Sequence, residues 1–270
     1  MSAFYLEAVD AGVVGTEFAG RIMHFPSVDS TNALALEAAQ GGARGGVYVA
    51  DEQTAGRGRG GHLWHSAVGD GLYVSALVAP PIPPSKAMWL PLATGLAVQS
   101  AIASVTGLKA DIRWPNDLML RGRKCGGILV ETSSIAGQEM ESAMLRYAVI
   151  GIGINMNHQR FPEELELLAT SLRMESGGAV SREALLVALL RSIDEEIRLF
   201  IRQHCGTLNG AGLLERFAVA STWVRGKRVR VEEDGGYTGV TDGLDTRGFL
   251  RVSGDDGVQH TVLSGGVREL

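Results

Sequence analysis

Gly46-Val47-Tyr48-Val49-Ala50 and Gly71-Leu72-Tyr73-Val74-Ser75-Ala76-Leu77 both read as strands, and only loop residues connect them. Further strands are expected at Gly127-Ile128-Leu129-Val130-Glu131 and from Tyr147 to Asn155, interleaved with helix-like runs. Strand pairs joined by loop alone argue against a doubly wound sheet. They predict an α+β fold, with a mixed, largely antiparallel sheet packed with helices.

Three helices frame that sheet in the sequence. Ala33 to Gln40 reads as one, with Asp29, Ser30 or Thr31 as N-cap and Gly41-Gly42 as the stop. Lys86 to Val105 reads as a second, ended by Gly107. The third carries Leu185, Leu189, Ile193 and Ile197 at every fourth position, with Ser181 placed to cap it. The first twenty or so residues show no clear periodicity. Composition shifts near Trp223, for residues 223–270 hold 10 of the chain's 36 glycines. Lys227–Glu233, Tyr237–Leu244, Gly248–Ser253 and Val258–Leu263 predict four or five short strands joined by Asp-Gly and Gly-Gly turns, a small β-barrel. The expected division is a tail over 1–21, a main domain over 22–222 and the barrel over 223–270.

The chain has 270 residues, 45% of them hydrophobic, and a net charge of −5. That charge gives no general attraction to nucleic acid or anionic membranes, so any anion site must be local. No apolar run reaches the roughly 20 residues of a membrane span, and the N-terminus lacks the pattern of a secretory signal. Cys125 and Cys205 stand too far apart in sequence to suggest a framework and read as free thiols in a reducing cytosol, which predicts a cytoplasmic protein.

Between the first two strands lies Thr54-Ala55-Gly56-Arg57-Gly58-Arg59-Gly60-Gly61, two arginines on a backbone made mostly of glycine. Guanidinium forks and bare peptide N–H groups suit a polyanionic ligand. The glycines also fit a dinucleotide fingerprint, but that motif must open a helix, and here His62-Leu63-Trp64-His65 and a strand follow. The plain alternative is a solvated loop. Arg113-Trp114-Pro115-Asn116-Asp117 marks a turn, and Lys124 with Cys125-Gly126-Gly127 suggests a hairpin that returns the lysine to Asp117. A cation beside a carboxylate and bare backbone suits charge stabilisation at a reacting phosphate. Its place next to Lys124 also opens a lowered thiol pKa for Cys125. Gly151-Ile152-Gly153-Ile154-Asn155 is a strand whose glycines mark a close approach by ligand or backbone, and whose Asn155 can read a purine edge. His62 and His65 lack partners at ligand spacing, so no metal site is predicted.

Taken together, these segments resemble biotin–protein ligases, which biotinylate the biotin carboxyl carrier protein of acetyl-CoA carboxylase. The likeness runs from Ser30-Thr31-Asn32 through Gln53 and the Gly-Arg loop to Trp114-Pro115-Asn116-Asp117, Lys124, Gly127–Glu131 and Gly151–Asn155. It implies a class II synthetase/lipoate-ligase-like fold with an SH3-like C-terminal barrel, and biotin, ATP and Mg2+ as ligands. Ser30, Thr31, Asn32, Gln53, Gly58 and Gly127 would then contact biotin, together with Arg57, Arg59 and Lys124. Those three cations would also meet the nucleotide, with Asn116 and Asn155, and Asp117 would assist the acceptor lysine. Two departures stand out: Arg113 where the family usually has Lys, and Gly265-Gly266-Val267 where it has Gly-Glu-Val. Some members carry an N-terminal winged helix-turn-helix repressor; so short a leading segment predicts the monofunctional type, without DNA binding. The oligomeric state stays open, a homodimer included. Lipoate–protein ligase is the nearest alternative. A nucleic-acid-binding module is the alternative from another class, opposed by 7 Lys+Arg against 8 Asp+Glu over 223–270.

Overall fold

The computed structural model describes residues 4–134, 144–233, 235–264 and 266–270. Its principal element is a seven-stranded sheet in the order β1-β2-β3-β7-β6-β5-β4. The strands are β1 (Ile22–Phe25), β2 (Gly46–Ala50), β3 (Gly71–Val78), β4 (Asp111–Arg113), β5 (Asp117–Leu120), β6 (Arg123–Ser134) and β7 (Leu145–Asn155). Only β1 and β2 run parallel, joined by the crossover helix α2 (Thr31–Gln40); every other neighbouring pair is antiparallel. The fold is the mixed, largely antiparallel α+β arrangement expected.

The two faces of the sheet have different fates. Ile150, Ile152 and Ile154 of β7 and Ile128 of β6 enter the main core under α3 (Trp89–Thr106) and α5 (Arg182–His204). On the opposite face Tyr147 and Val149 pack beneath Ala35 and Ala39 of α2. Beyond α2 that face carries Gly151 and Gly153, covered by the Asn32 and Trp64 side chains instead of by a helix. Helix α3 is apolar over a span-like length, but two-thirds of it is buried inside the protein. Gly107 ends it in the left-handed region (φ 73°), where glycine meets no Cβ penalty. Ser181 caps α5 by accepting from the Ala184 amide at 3.2 Å.

Three short helices escaped the sequence. Leu6–Gly12 forms α1, within the stretch expected to be a tail, and its Val9 is fully buried. Gly12 lets it lie close to α5, since a Cβ there would sit 2.6 Å from Val187. Leu213–Ala220, the last helix (α6), buries Leu213 and Phe217. The third, α4 (Leu172–Ser176), comes just before α5 in the chain.

The C-terminal strands β8 (Arg225–Val231), β9 (Tyr237–Leu244), β10 (Leu250–Gly254), β11 (Gln259–Val262) and β12 (Val267–Glu269) form an antiparallel sheet, as a small SH3-like domain would. Gly265, the first residue of the departing Gly-Gly-Val pattern, lies outside the described residues. Val229, Val231, Leu250, Val252 and Val262 make the sheet's apolar face, continuous with the main core. The join is specific. Gly248 (φ 95°) inserts where a Cβ would meet Leu92 at 3.0 Å, and its carbonyl accepts from buried Trp114 Nε1 at 3.0 Å. Trp114→Phe removes the indole N–H and leaves that carbonyl unpaired, with a small cavity beside it, so urea unfolding should show a loss of at least about 1–3 kcal/mol.

Candidate functional site

The patch of sheet at Gly151 and Gly153, with the side chains lying on it, is the floor of a cleft open to solvent. Around it the structure gathers Ser30, Thr31, Asn32 and Gln53 from the start of α2 and the strand end facing it. It adds Arg57, Gly58, Arg59 and Trp64 from the Gly-Arg segment, and Asn116, Lys124 and Gly127 from the β4–β6 side. Glycine makes the room. A Cβ on Gly151 would fall 2.1 Å from Asn32 Oδ1, and one on Gly153 would fall 2.5 Å from the Trp64 indole. The close approach read from those glycines is thus made by side chains of the protein itself.

Thr31 starts α2, so its amide has no intrahelical partner. Ser30 holds the N-cap position, but its hydroxyl caps nothing. Gln53 does so from a distance: its Oε1 accepts from Thr31 N at 2.9 Å and from Thr31 Oγ1 at 3.1 Å. Ser30 lines the cavity, beside the positive end of a helix. Ser75 on β3 stands fully buried beneath this layer. Its Oγ lies 2.5 Å from Asn32 Oδ1 and 2.8 Å from Thr31 Oγ1.

The hairpin expected between Asp117 and Lys124 is present, turning through Arg121 (φ 47°) and Gly122 (φ 78°). It sets Lys124 Nζ 2.6 Å from Asp117 Oδ1. The amine also lies 5.4 Å from the centre of the Trp64 ring. Arg113 donates through Nε and Nη2 to the other oxygen, Oδ2, so both oxygens of Asp117 face cations. The same guanidinium approaches Trp223 of the C-terminal part, 5.6 Å from its ring centre. A lysine would not offer a planar fork that serves carboxylate and ring together.

Arg57 is half exposed, with Nη2 3.8 Å from Glu131 Oε2. Arg59 is more buried. That burial pulls its pKa below the ordinary value, partly offset by the Asp117 and Glu233 carboxylates. The loop opens no α-helix, only the single 3-10 turn Arg59–Gly61, so the dinucleotide reading fails. Its neck is closed by Gly58 N donating to His62 O at 2.7 Å and Trp64 N to Gly56 O at 2.9 Å.

Asn116 lines the cavity, though its Nδ2 already donates to Ile128 O at 2.9 Å. Asn155 stands apart. It is buried at the end of β7, and its Nδ2 donates to Thr170 O at 3.1 Å. Cys125 needs a correction. Strand alternation turns it away from Lys124 into the core, where burial pushes its thiol up to about 12, not down. His65 meets His158 in a tilted contact, ring centres 5.8 Å apart. Among the described residues, no group of three or more His, Cys, Asp or Glu could hold a metal ion.

Glu131 was not among the expected site residues. Its Oε2 accepts from Asn32 Nδ2 at 2.8 Å while facing Arg57. The available signal was alternation: Glu131 shares its face with Gly127, a lone acid at the end of an apolar strand.

Residues 24–155 match the biotin/lipoate A/B protein ligase family, and residues 225–267 match the biotin protein ligase C terminal domain. The chain is 34% identical over 249 residues to the bifunctional ligase/repressor BirA of Bacillus spizizenii, covering 90% of this chain and 73% of that protein. It belongs to the biotin protein ligase family. It is also 34% identical to the biotin--[acetyl-CoA-carboxylase] ligase of Mycobacterium tuberculosis, across 88% of this chain and 84% of that one. The biotin protein ligase of Aquifex aeolicus, solved in complex with biotin and ATP, superposes with a TM-score of 0.74 at 28% identity. That match covers 93% of this chain and all of the Aquifex one.

In this biotin protein ligase, Gly153→Ala should push Trp64 off the sheet. A red-shifted emission that disappears in a Trp64→Phe background would report it. A thiol reagent should modify exposed Cys205 in the native protein and reach Cys125 only after denaturation.

Proposed function

We propose that this chain activates biotin with ATP to biotinyl-5′-AMP and transfers the biotinyl group to a lysine of the biotin carboxyl carrier protein of acetyl-CoA carboxylase. One observation carries the reading. Arg57, Arg59 and Lys124, from separate parts of the chain, line one cavity whose floor is an array of hydroxyls and carboxamides. In a protein of net charge −5, that is a local concentration of positive charge.

A carboxylate does not acylate an amine at neutral pH, because its leaving group is too poor. Adenylation supplies a better one, but the step brings two anions together. Arg57, Arg59 and Lys124 offset that repulsion, each well-aimed donor contributing roughly 2.7–4 kcal/mol in the transition state. The site's two carboxylates, Asp117 and Glu131, both face cations in the ligand-free protein. Magnesium would accompany the nucleotide, bound to its phosphates.

The polar end of biotin, a cyclic urea, needs donors and acceptors together. Ser30 Oγ, Thr31 Oγ1 and the Gln53 carboxamide offer both, and Trp64 with the glycine floor suits its apolar body. When Lys124 turns from Asp117 to the ligand's anionic group, Asp117 Oδ1 is free to take a proton from the acceptor's ammonium and orient the amine, which attacks the adenylate carbonyl and expels AMP. Holding amine and adenylate together contributes roughly 7–11 kcal/mol. Free thiols suit the cytoplasm as the compartment.

Incubation with ATP, labelled biotin and a carboxyl-carrier domain should give a biotinylated carrier; a folded protein that transfers none would remove the reading. Lipoate in place of biotin tests the nearest alternative. Lys124→Ala should slow biotin-dependent pyrophosphate release about tenfold to a thousandfold, and wild-type release would reassign the lysine.

A further inference from the structure

The polar groups beneath the cavity form an unbroken hydrogen-bonded path, and both ends return to the Gly-Arg segment. At one end Glu131 faces Arg57 at 3.8 Å and accepts from Asn32 Nδ2 at 2.8 Å. At the other, Gln53 Nε2 donates to Ser66 Oγ at 3.2 Å, and that hydroxyl donates to the Trp64 carbonyl at 3.3 Å. Asn32 Oδ1, Ser75 Oγ and Thr31 Oγ1 complete the middle.

An ionised carboxylate only accepts. Glu131 therefore obliges Asn32 to turn its NH2 outward and its carbonyl oxygen to Ser75, so the single Ser75 proton goes to Asn32. The Thr31 amide fixes the far end in the same way, obliging Gln53 to present Oε1 to it and NH2 to Ser66. Between two fixed ends only the Thr31 proton has a choice of acceptor, Ser75 Oγ at 2.8 Å or Gln53 Oε1 at 3.1 Å. The donor–acceptor sense of the Asn32–Ser75 half of the floor is thus set by one carboxylate, and that of the Gln53 half by the Thr31 amide.

We propose that Glu131 is a positioning residue of this site, one that sets the hydrogen-bond polarity of the Asn32–Ser75 half of the floor and holds Arg57 above it. The part concerning ligand capture rests on biotin being the ligand. The part concerning Arg57 does not. Glu131→Gln is the informative change, because it keeps the shape, removes the charge facing Arg57 and lets the Asn32 carboxamide reverse.

In pyrophosphate exchange, Glu131→Gln should raise the KM for biotin about tenfold, with kcat within about twofold of wild type. Limited trypsin digestion of the ligand-free protein, followed by mass spectrometry, should show cleavage after Arg57 about threefold faster. Unchanged KM and unchanged cleavage would overturn the proposal. So would a fall in kcat and melting temperature with KM unmoved, the mark of a merely structural carboxylate. Should wild type show no biotin-dependent exchange, the ligase reading fails, while the cleavage rates still decide whether Glu131 holds the loop.

Discussion

The site exists because the central strands carry no side chains where the sheet is most exposed to ligand. Gly127, Gly151 and Gly153 occupy one face of β6 and β7, and the register pairs Gly127 directly with Gly153. A strand interior loses stability with each glycine, through lost packing and greater unfolded-chain entropy. The gain is room for the Asn32 carboxamide and the Trp64 indole to lie flat on the backbone. Those two groups in turn join α2 and the Gly-Arg segment to a single floor. Any side chain at these positions would separate elements that the chemistry needs together.

Charge imposes the second constraint. Several cations crowded round one cavity repel each other until an anion arrives, and the ligand-free protein supplies anions of its own. Asp117 stands at 2.6 Å from Lys124, and Glu131 at 3.8 Å from Arg57. The half-exposed Arg57 pair is the weaker, because solvent screens it. A phosphate or carboxylate entering the cavity therefore exchanges ion pairs instead of neutralising bare charge. Tight local pairing also explains how an acidic protein maintains a cationic pocket, for the excess does not extend beyond the Debye length.

Much of this was legible in the sequence wherever the cause was local. The i+4 leucine and isoleucine stripe of α5, the Gly107 terminator and the hairpin returning Lys124 to Asp117 all follow from neighbouring residues. The rest depends on distant partners. Val9 gives α1 its buried contact only once α5 is in place, and seven residues carry little period of their own. Gln53 caps α2 across 22 positions, which no capping rule of adjacent residues can find. Cys125 failed for the opposite reason: sequence adjacency to Lys124 suggested a shared environment, whereas strand alternation sends neighbours to opposite faces. Glu131 belonged to a stretch already noticed, but its role required Asn32 and Arg57 to meet it in space.

The C-terminal sheet reaches the same network by a route the sequence did not mark. Trp114 binds the Gly248 carbonyl, and Arg113, one residue earlier, both grips Asp117 and approaches the Trp223 ring. From the opposite side, the Glu233 carboxylate accepts from the Leu263 amide at 3.0 Å and lies close enough to Arg59 to be felt there. The turn before Asp117 and the arginine loop are therefore both referenced to the small sheet. Removing that sheet would expose Trp114 and release Arg113 from one of its two partners, so its contribution reaches the charged centre through position.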